Sequence, residues 1–208
     1  MKQSSDNNIF FQELRYVAEP TGNLSWLVGA DYFAYENNEV INGWVAQVLP
    51  NSPFRNYTTD STSWALFGSA EYALENLPVT LTGEIRYAED EFDGRVMEYQ
   101  ARDQMGGRPD QANPINPKKD LAMSNTYDNL PWAVTAAYDF EDNGMMAYAK
   151  IASSYRQGGM NLSESSPGEL YPTELAYDEE TSLSYEMGFT RSWFDNALKL
   201  NAAVFLTD

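Results

Sequence analysis

Three groups of residues carry charge at spacings that chemistry can use. The first is Arg156, Gly158, Gly159 and Asn161, which close the segment YAKIASSYRQGGMN (148–161). The Arg156 guanidinium could meet an anionic ligand. The same glycines equally suit a bend or bulge at a strand end. The second group is two pairs at i, i+2, Glu13 with Arg15 and Glu84 with Arg86. On a strand this spacing places both side chains on one face. They read as an acid/base couple or, more commonly in sheets, as ion pairs along a polar surface. The third is the acidic run Glu164, Glu169, Glu174, Asp178, Glu179 and Glu180, which has no Lys or Arg among it. Such a surface attracts cations. It equally serves as a solvated loop, and no EF-hand spacing supports a metal site. Tyr99, Met105 and Met123 could meet a hydrophobic ligand or simply pack within a loop.

Composition narrows the field. The 208 residues include no Cys and no His. Thiolate metal sites and disulfide frameworks are excluded, as is any nucleophile paired with an imidazole base. An enzyme is therefore not expected, and no cofactor or metal is implied. The net charge of −18 argues against nucleic acid, which requires a basic face. No 18-residue apolar run exists, so a transmembrane helix is not expected. Met1-Lys2 leads into Gln-Ser-Ser-Asp-Asn-Asn without an apolar core, so no secretory leader is recognised.

The elements that must position these groups repeat every second residue. Leu198, Leu200, Ala202, Val204 and Leu206 alternate with Lys199, Asn201, Ala203, Phe205 and Thr207, the period of a strand. The same alternation predicts strands over 9–18, 24–36, 61–75, 79–92, 130–140, 145–156 and 181–193. Val79, Leu81, Gly83, Ile85 and Tyr87 against Thr80, Thr82, Glu84, Arg86 and Ala88 is the cleanest case. Turn chemistry lies between them at Glu19–Asn23, Asn76–Pro78, Asp142-Asn143-Gly144 and Asp195-Asn196. Connections of roughly 37–60, 93–127 and 157–178 separate the resulting hairpins.

Eight strands are thus joined by seven connections that alternate short and long. Soluble strands average about 5–6 residues and a tilted membrane strand needs about 9–11. These run longer, with all long connections at one end and aromatics such as Trp26, Trp132, Trp193, Tyr72 and Tyr138 near strand ends on the apolar face. The expected fold is all-β, an antiparallel up-and-down transmembrane β-barrel. A soluble sandwich is the alternative, and it would fold without detergent.

With these segments in view, the chain resembles the TonB-dependent receptors of Gram-negative outer membranes. FFQELRYVAE (10–19) with LSWLVGADYF (24–33) is similar to an early barrel hairpin of that family. ALFGSAEYAL (65–74) with VTLTGEIRYAEDE (79–91) is similar to the next. YAKIASSYRQGGMN and the hairpin YDEETSLSYEMGFTRSWFDNALKLNAAVFLTD (177–208) follow in order, with wording nearest to iron-chelate receptors. The resemblance implies a 22-stranded barrel in outer-membrane lipid, a plug domain, a TonB energy-coupling complex and a small-molecule ligand of ferric-siderophore type. It implies active uptake across the outer membrane; a passive porin-type channel or a small eight-stranded barrel is the alternative. Neither a plug nor a coupling box is recognised within 1–208. The expectation is an internal piece of the barrel, about eight strands, forming an open curved wall. On this reading Glu13, Arg15, Glu84 and Arg86 form ion pairs inside the lumen facing the plug, and Arg156, Gly158, Gly159 and Asn161 lie where ligand would be met.

Overall fold

The computed structural model describes residues 2–42, 54–99, 119–140, 144–160, 176–194 and 197–208. Among the described residues there are eleven strands: β1 (Lys2–Val17), β2 (Leu24–Asn42), β3 (Phe54–Ala73), β4 (Val79–Tyr99), β5 (Lys119–Asn129), β6 (Trp132–Phe140), β7 (Met145–Arg156), β8 (Gly159–Met160), β9 (Ala176–Tyr177), β10 (Glu180–Trp193) and β11 (Leu198–Thr207). Nine of them form one antiparallel sheet in the order β1-β2-β3-β4-β6-β7-β10-β11, with β5 also on β4, while β8 and β9 pair apart. The expected up-and-down order is present. Among the described residues β1 and β11 do not pair, so the sheet stays open.

Each hairpin holds a single register from turn to tip. β2 and β3 pair from Leu24↔Tyr72 to Asn42↔Phe54, and β3 and β4 from Ala73↔Thr80 to Phe54↔Tyr99. Two of the turns use left-handed glycines, Gly22 and Gly144, with φ of 60° and 54°; a Cβ is disfavoured there. The turn residues Asp142, Asn143, Asp195 and Asn196 lie outside the described residues.

The strands exceed their sequence-based limits. β1 begins at Lys2 instead of Ile9, β2 ends at Asn42 instead of Glu36, β3 begins at Phe54 instead of Ser61, and β4 ends at Tyr99 instead of Phe92. These extensions mix polar and apolar residues on both faces, so they carry no regular alternation. They are zipped by backbone bonds continuing from the hairpin below. The largest difference is β5, which occupies part of the stretch expected as a 93–127 connection. β5 and β6 pair with β4 in one unbroken register, Asn129↔Ala88 and then Trp132↔Ile85. They are a single strand interrupted at Pro131, which lacks an N–H for the ladder. The Pro131 carbonyl still accepts from the Arg86 amide at 3.0 Å.

The two faces are inverted relative to a soluble protein. On the apolar face Leu14, Leu66, Ile85, Val134, Met187 and Val204 are each more than half exposed. Tyr57, Ala65, Ala88, Asp90, Val96 and Ala133 are buried and lie on the opposite, polar face. Toward the loop end of that face Tyr57 and Val96 pack with Phe92, Leu121 and Met123. A contiguous greasy exterior is what lipid requires and water penalises. Across the apolar face the band gives way to a row of cross-strand neighbours, Asn8, Glu36, Asp60 and Asp93. Partial burial, then the neighbouring Glu36 and Asp93 carboxylates, hold Asp60 above its ordinary value. Further toward the loop end, Arg95 binds Asp120 through a forked contact of 2.8 and 2.6 Å.

Two predictions follow from this ladder. Pro131→Ala restores one donor, so the new amide should show strong exchange protection and the sheet should gain about 1 kcal/mol. Asp120 lies beyond the apolar band, and its bond to Arg95 holds it below the ordinary 3.8. Its contribution is therefore complete above about pH 4 and disappears as pH falls through the depressed value. Amide exchange in the upper β4–β5 hairpin should loosen in that acidic window, and Asp120→Asn should loosen it at neutral pH and abolish the pH dependence.

Candidate functional site

The polar face of β1–β7 holds a cleft of about 550 Å³, lined in part by Glu13, Arg15, Phe67, Glu84, Arg86 and Lys150. Strand parity brings these side chains together. Arg15 lies opposite Gly29, Gly29 opposite Phe67, and Phe67 opposite Arg86. Because Gly29 has no side chain, the Phe67 ring settles over its Cα, where any Cβ would collide with the ring. The ring then supports two guanidinium groups, Arg15 at 5.6 Å and Arg86 at 5.9 Å from its centroid. These are cation–π distances.

The ion pairs are only partly those read from the sequence. Glu13 and Arg15 do meet within β1 at 2.8 Å. Glu84 and Arg86 share the face but do not pair with each other. Arg86 grips Asp31 with two bonds of 2.5 and 3.0 Å, and Glu84 sits 3.8 Å from Lys150. The small side chain of Ala65, which lies between Asp31 and Ala88 in register, leaves room for the Arg86 guanidinium to cross β3 and grip the Asp31 carboxylate with both donors. Asp31 and Lys150 were not singled out from the sequence. Register arithmetic from the short turns could have found Asp31, since it faces Ala65, which faces Ala88, next to Arg86. Two acids and three bases line the cleft, and Asp31, bound to Arg86, supplies the balancing third acid. The cleft suits a partner surface of mixed charge better than a free anion.

At the loop end, the sheet divides. The β6–β7 ladder stops at Ala133↔Ala152, although β7 continues on β10 to Arg156↔Glu180. Above this point the Trp132 amide donates to the Ser153 hydroxyl at 3.0 Å rather than to a carbonyl. Beyond the split, Arg156 is well exposed, 3.5 Å from Glu180 and stacked 5.8 Å from the Tyr177 ring centroid. Gly158 and Gly159 are buried. A Cβ on Gly158 would sit 2.6 Å from both the Tyr127 hydroxyl and the Tyr177 carbonyl oxygen, so these glycines are needed for close approach. Asn161, Met105, Glu164, Glu169 and Glu174, and the side chain of Tyr99, lie outside the described residues. Met123 packs in the Tyr57–Val96 cluster. Among the described residues no group of acidic side chains is arranged to hold a metal ion.

Asp31 is nearly buried and depends on Arg86. Arg86→Met should destabilise the sheet by about 2–3 kcal/mol through the stranded carboxylate. Adding Asp31→Asn should recover most of that loss, a result readable by denaturant unfolding in micelles.

Comparison with known proteins agrees with this architecture. The ferric yersiniabactin uptake receptor FyuA of Yersinia pestis superposes with a TM-score of 0.71 at 18% identity, over 99% of this chain and 29% of that one. The closed form of the ferric-catecholate import receptor Fiu of E. coli K12 gives 0.69 at 17% identity, over 99% and 32%. The alcaligin outer membrane receptor FauA of Bordetella pertussis gives 0.59 at 18%, over 99% and 29%. At these identities the likeness concerns the fold, and the chain spans about a third of the length of each. The family model described as TonB dependent receptor-like, beta-barrel matches residues 2–208. The chain belongs to the TonB-dependent receptor family and represents part of its β-barrel.

Proposed function

We propose that these residues form part of the outer-membrane wall of an active transporter for scarce nutrients, with ferric siderophores as the ligand class. The inverted faces carry the reading: exposed apolar side chains cover one side of the sheet, and charged, hydrogen-bonded side chains cover the other. That arrangement is stable only with hydrocarbon outside and a polar interior. Family membership supports an interior closed by a plug and energised by the TonB complex. In this scheme the balanced cleft of Glu13, Arg15, Asp31, Glu84, Arg86 and Lys150 meets the plug, where complementary pairs fix register more than they add affinity. Arg156, with Tyr177 beneath it, meets the ligand. A guanidinium supported by an aromatic ring suits an anionic, ring-bearing chelate.

The test is growth on ferric catecholate as sole iron source in cells carrying the encoding gene or lacking it. Rescue that disappears without TonB, with the protein in the outer-membrane fraction, is the expected result. Rescue independent of TonB would mean a passive channel, and recovery in the soluble fraction would overturn the reading. Arg156→Ala should weaken ferric-catecholate binding several-fold at unchanged protein level.

A further inference from the structure

The division of the sheet at Ala152 places side chains in contact that a flat wall would keep apart. Tyr155 lies four residues beyond Ile151 and so belongs to the apolar face of β7. Asp90 lies four residues beyond Arg86 and so belongs to the polar face of β4. Yet the Tyr155 hydroxyl donates to the Asp90 carboxylate at 2.7 Å. Two further contacts reach the same side of the wall. Asn129, on the polar face of β5, donates to Glu179, just before β10, at 2.7 Å. Gly158 lies against the Tyr127 hydroxyl, on the polar face beside Asp90. Together these three contacts place the upper ends of β7 and β10, with β8 and β9, in front of the polar face of β4 and β5.

We propose that this segment is an arm latched to the inner wall, and that Tyr155 is the positioning residue that holds it there. The proposal goes beyond the transport reading and rests on it only for the word inner. Turning its apolar side to the wall leaves the other side of the arm facing the interior. That side carries Ser154 and Ser182, whose hydroxyls are 2.8 Å apart, and Arg156 with Glu180. The latch therefore narrows the passage at its loop end and presents the Arg156–Tyr177 stack to whatever enters. Its anchor is well placed. Asp90 is only 6% exposed, and between it and Arg86 lies Ala88, which is fully buried. The Tyr155 hydroxyl also feels the charges of Arg86 and Asp31, so the latch and the cleft share one electrostatic network.

The experiment is thiol labelling of Ala88→Cys in isolated outer membranes, with and without Tyr155→Phe. Labelling reports the fraction of time the arm is off the wall and needs neither ligand nor energy. Its failure is thus separate from a failure of the transport reading. With the latch intact the thiol should be protected. Tyr155→Phe, which keeps the ring and loses the bond to a charged acceptor, should raise the labelling rate about tenfold or more. Asp90→Asn, which retains a neutral acceptor, should give a smaller rise. Fast labelling of Ala88→Cys in the otherwise unaltered protein, or equal rates with and without Tyr155→Phe, would overturn the proposal.

Discussion

The whole arrangement depends on one constraint: every backbone N–H and C=O in the wall must find its partner across the sheet. A chain surrounded by hydrocarbon has no water to satisfy an orphaned group. Long antiparallel ladders meet that demand, and unbroken register makes them do a second job. Because register never slips between turn and tip, side chains stay assigned to one face over 19 and 20 paired residues in the two longest ladders. The greasy exterior, the Arg86–Asp31 bond and the Phe67 platform are all consequences of parity being preserved through four or five strands.

Where the constraint is relaxed, structure becomes irregular and specific. Pro131 cannot donate, and one residue later the Trp132 amide turns to the Ser153 hydroxyl. The sheet divides at that position. β5 remains on β4 while β7 follows β10 away from it. Two strands from here on have different neighbours, and the space between them is bridged by side chains in place of main chain. Glycine performs the complementary role where strands must stay together. Gly188 receives the Tyr148 ring as Gly29 receives Phe67, and Tyr148 then donates to Glu186. In each case an aromatic covers a backbone that has no side chain of its own.

Much of this was legible in the sequence, for a physical reason. Inside the apolar band the two faces need different chemistry, so Val79–Ala88 announces both strand and orientation. The family resemblance, the meander order and the open sheet rest on such segments. Outside the band the two faces no longer need opposite chemistry, and the period vanishes. Residues 37–42, 54–60 and 93–99 are strand without any pattern to say so, and β5 begins at Lys119 inside an expected connection. The candidate site was read less completely. Arg156 and the two glycines stood out as local motifs, and Glu13 with Arg15 formed the pair their spacing allowed. Arg86 found Asp31, 55 positions away, because registry between strands decides contacts that linear spacing cannot. Tyr155 with Asp90 was further out of reach, since it crosses from one face to the other.

Unbroken parity also sets how such a wall can change in evolution. Removing a single residue from β3 would send every side chain beyond the gap to the wrong side, apolar groups into the interior and charges into lipid. Removing two would shorten the strand by one pleat and leave the faces intact. Length variation within the paired segments should therefore come in even steps, matched on both neighbours. Length changes outside the paired segments are free of this arithmetic. A wall built this way is conservative in its spacing even where its individual residues are free to change.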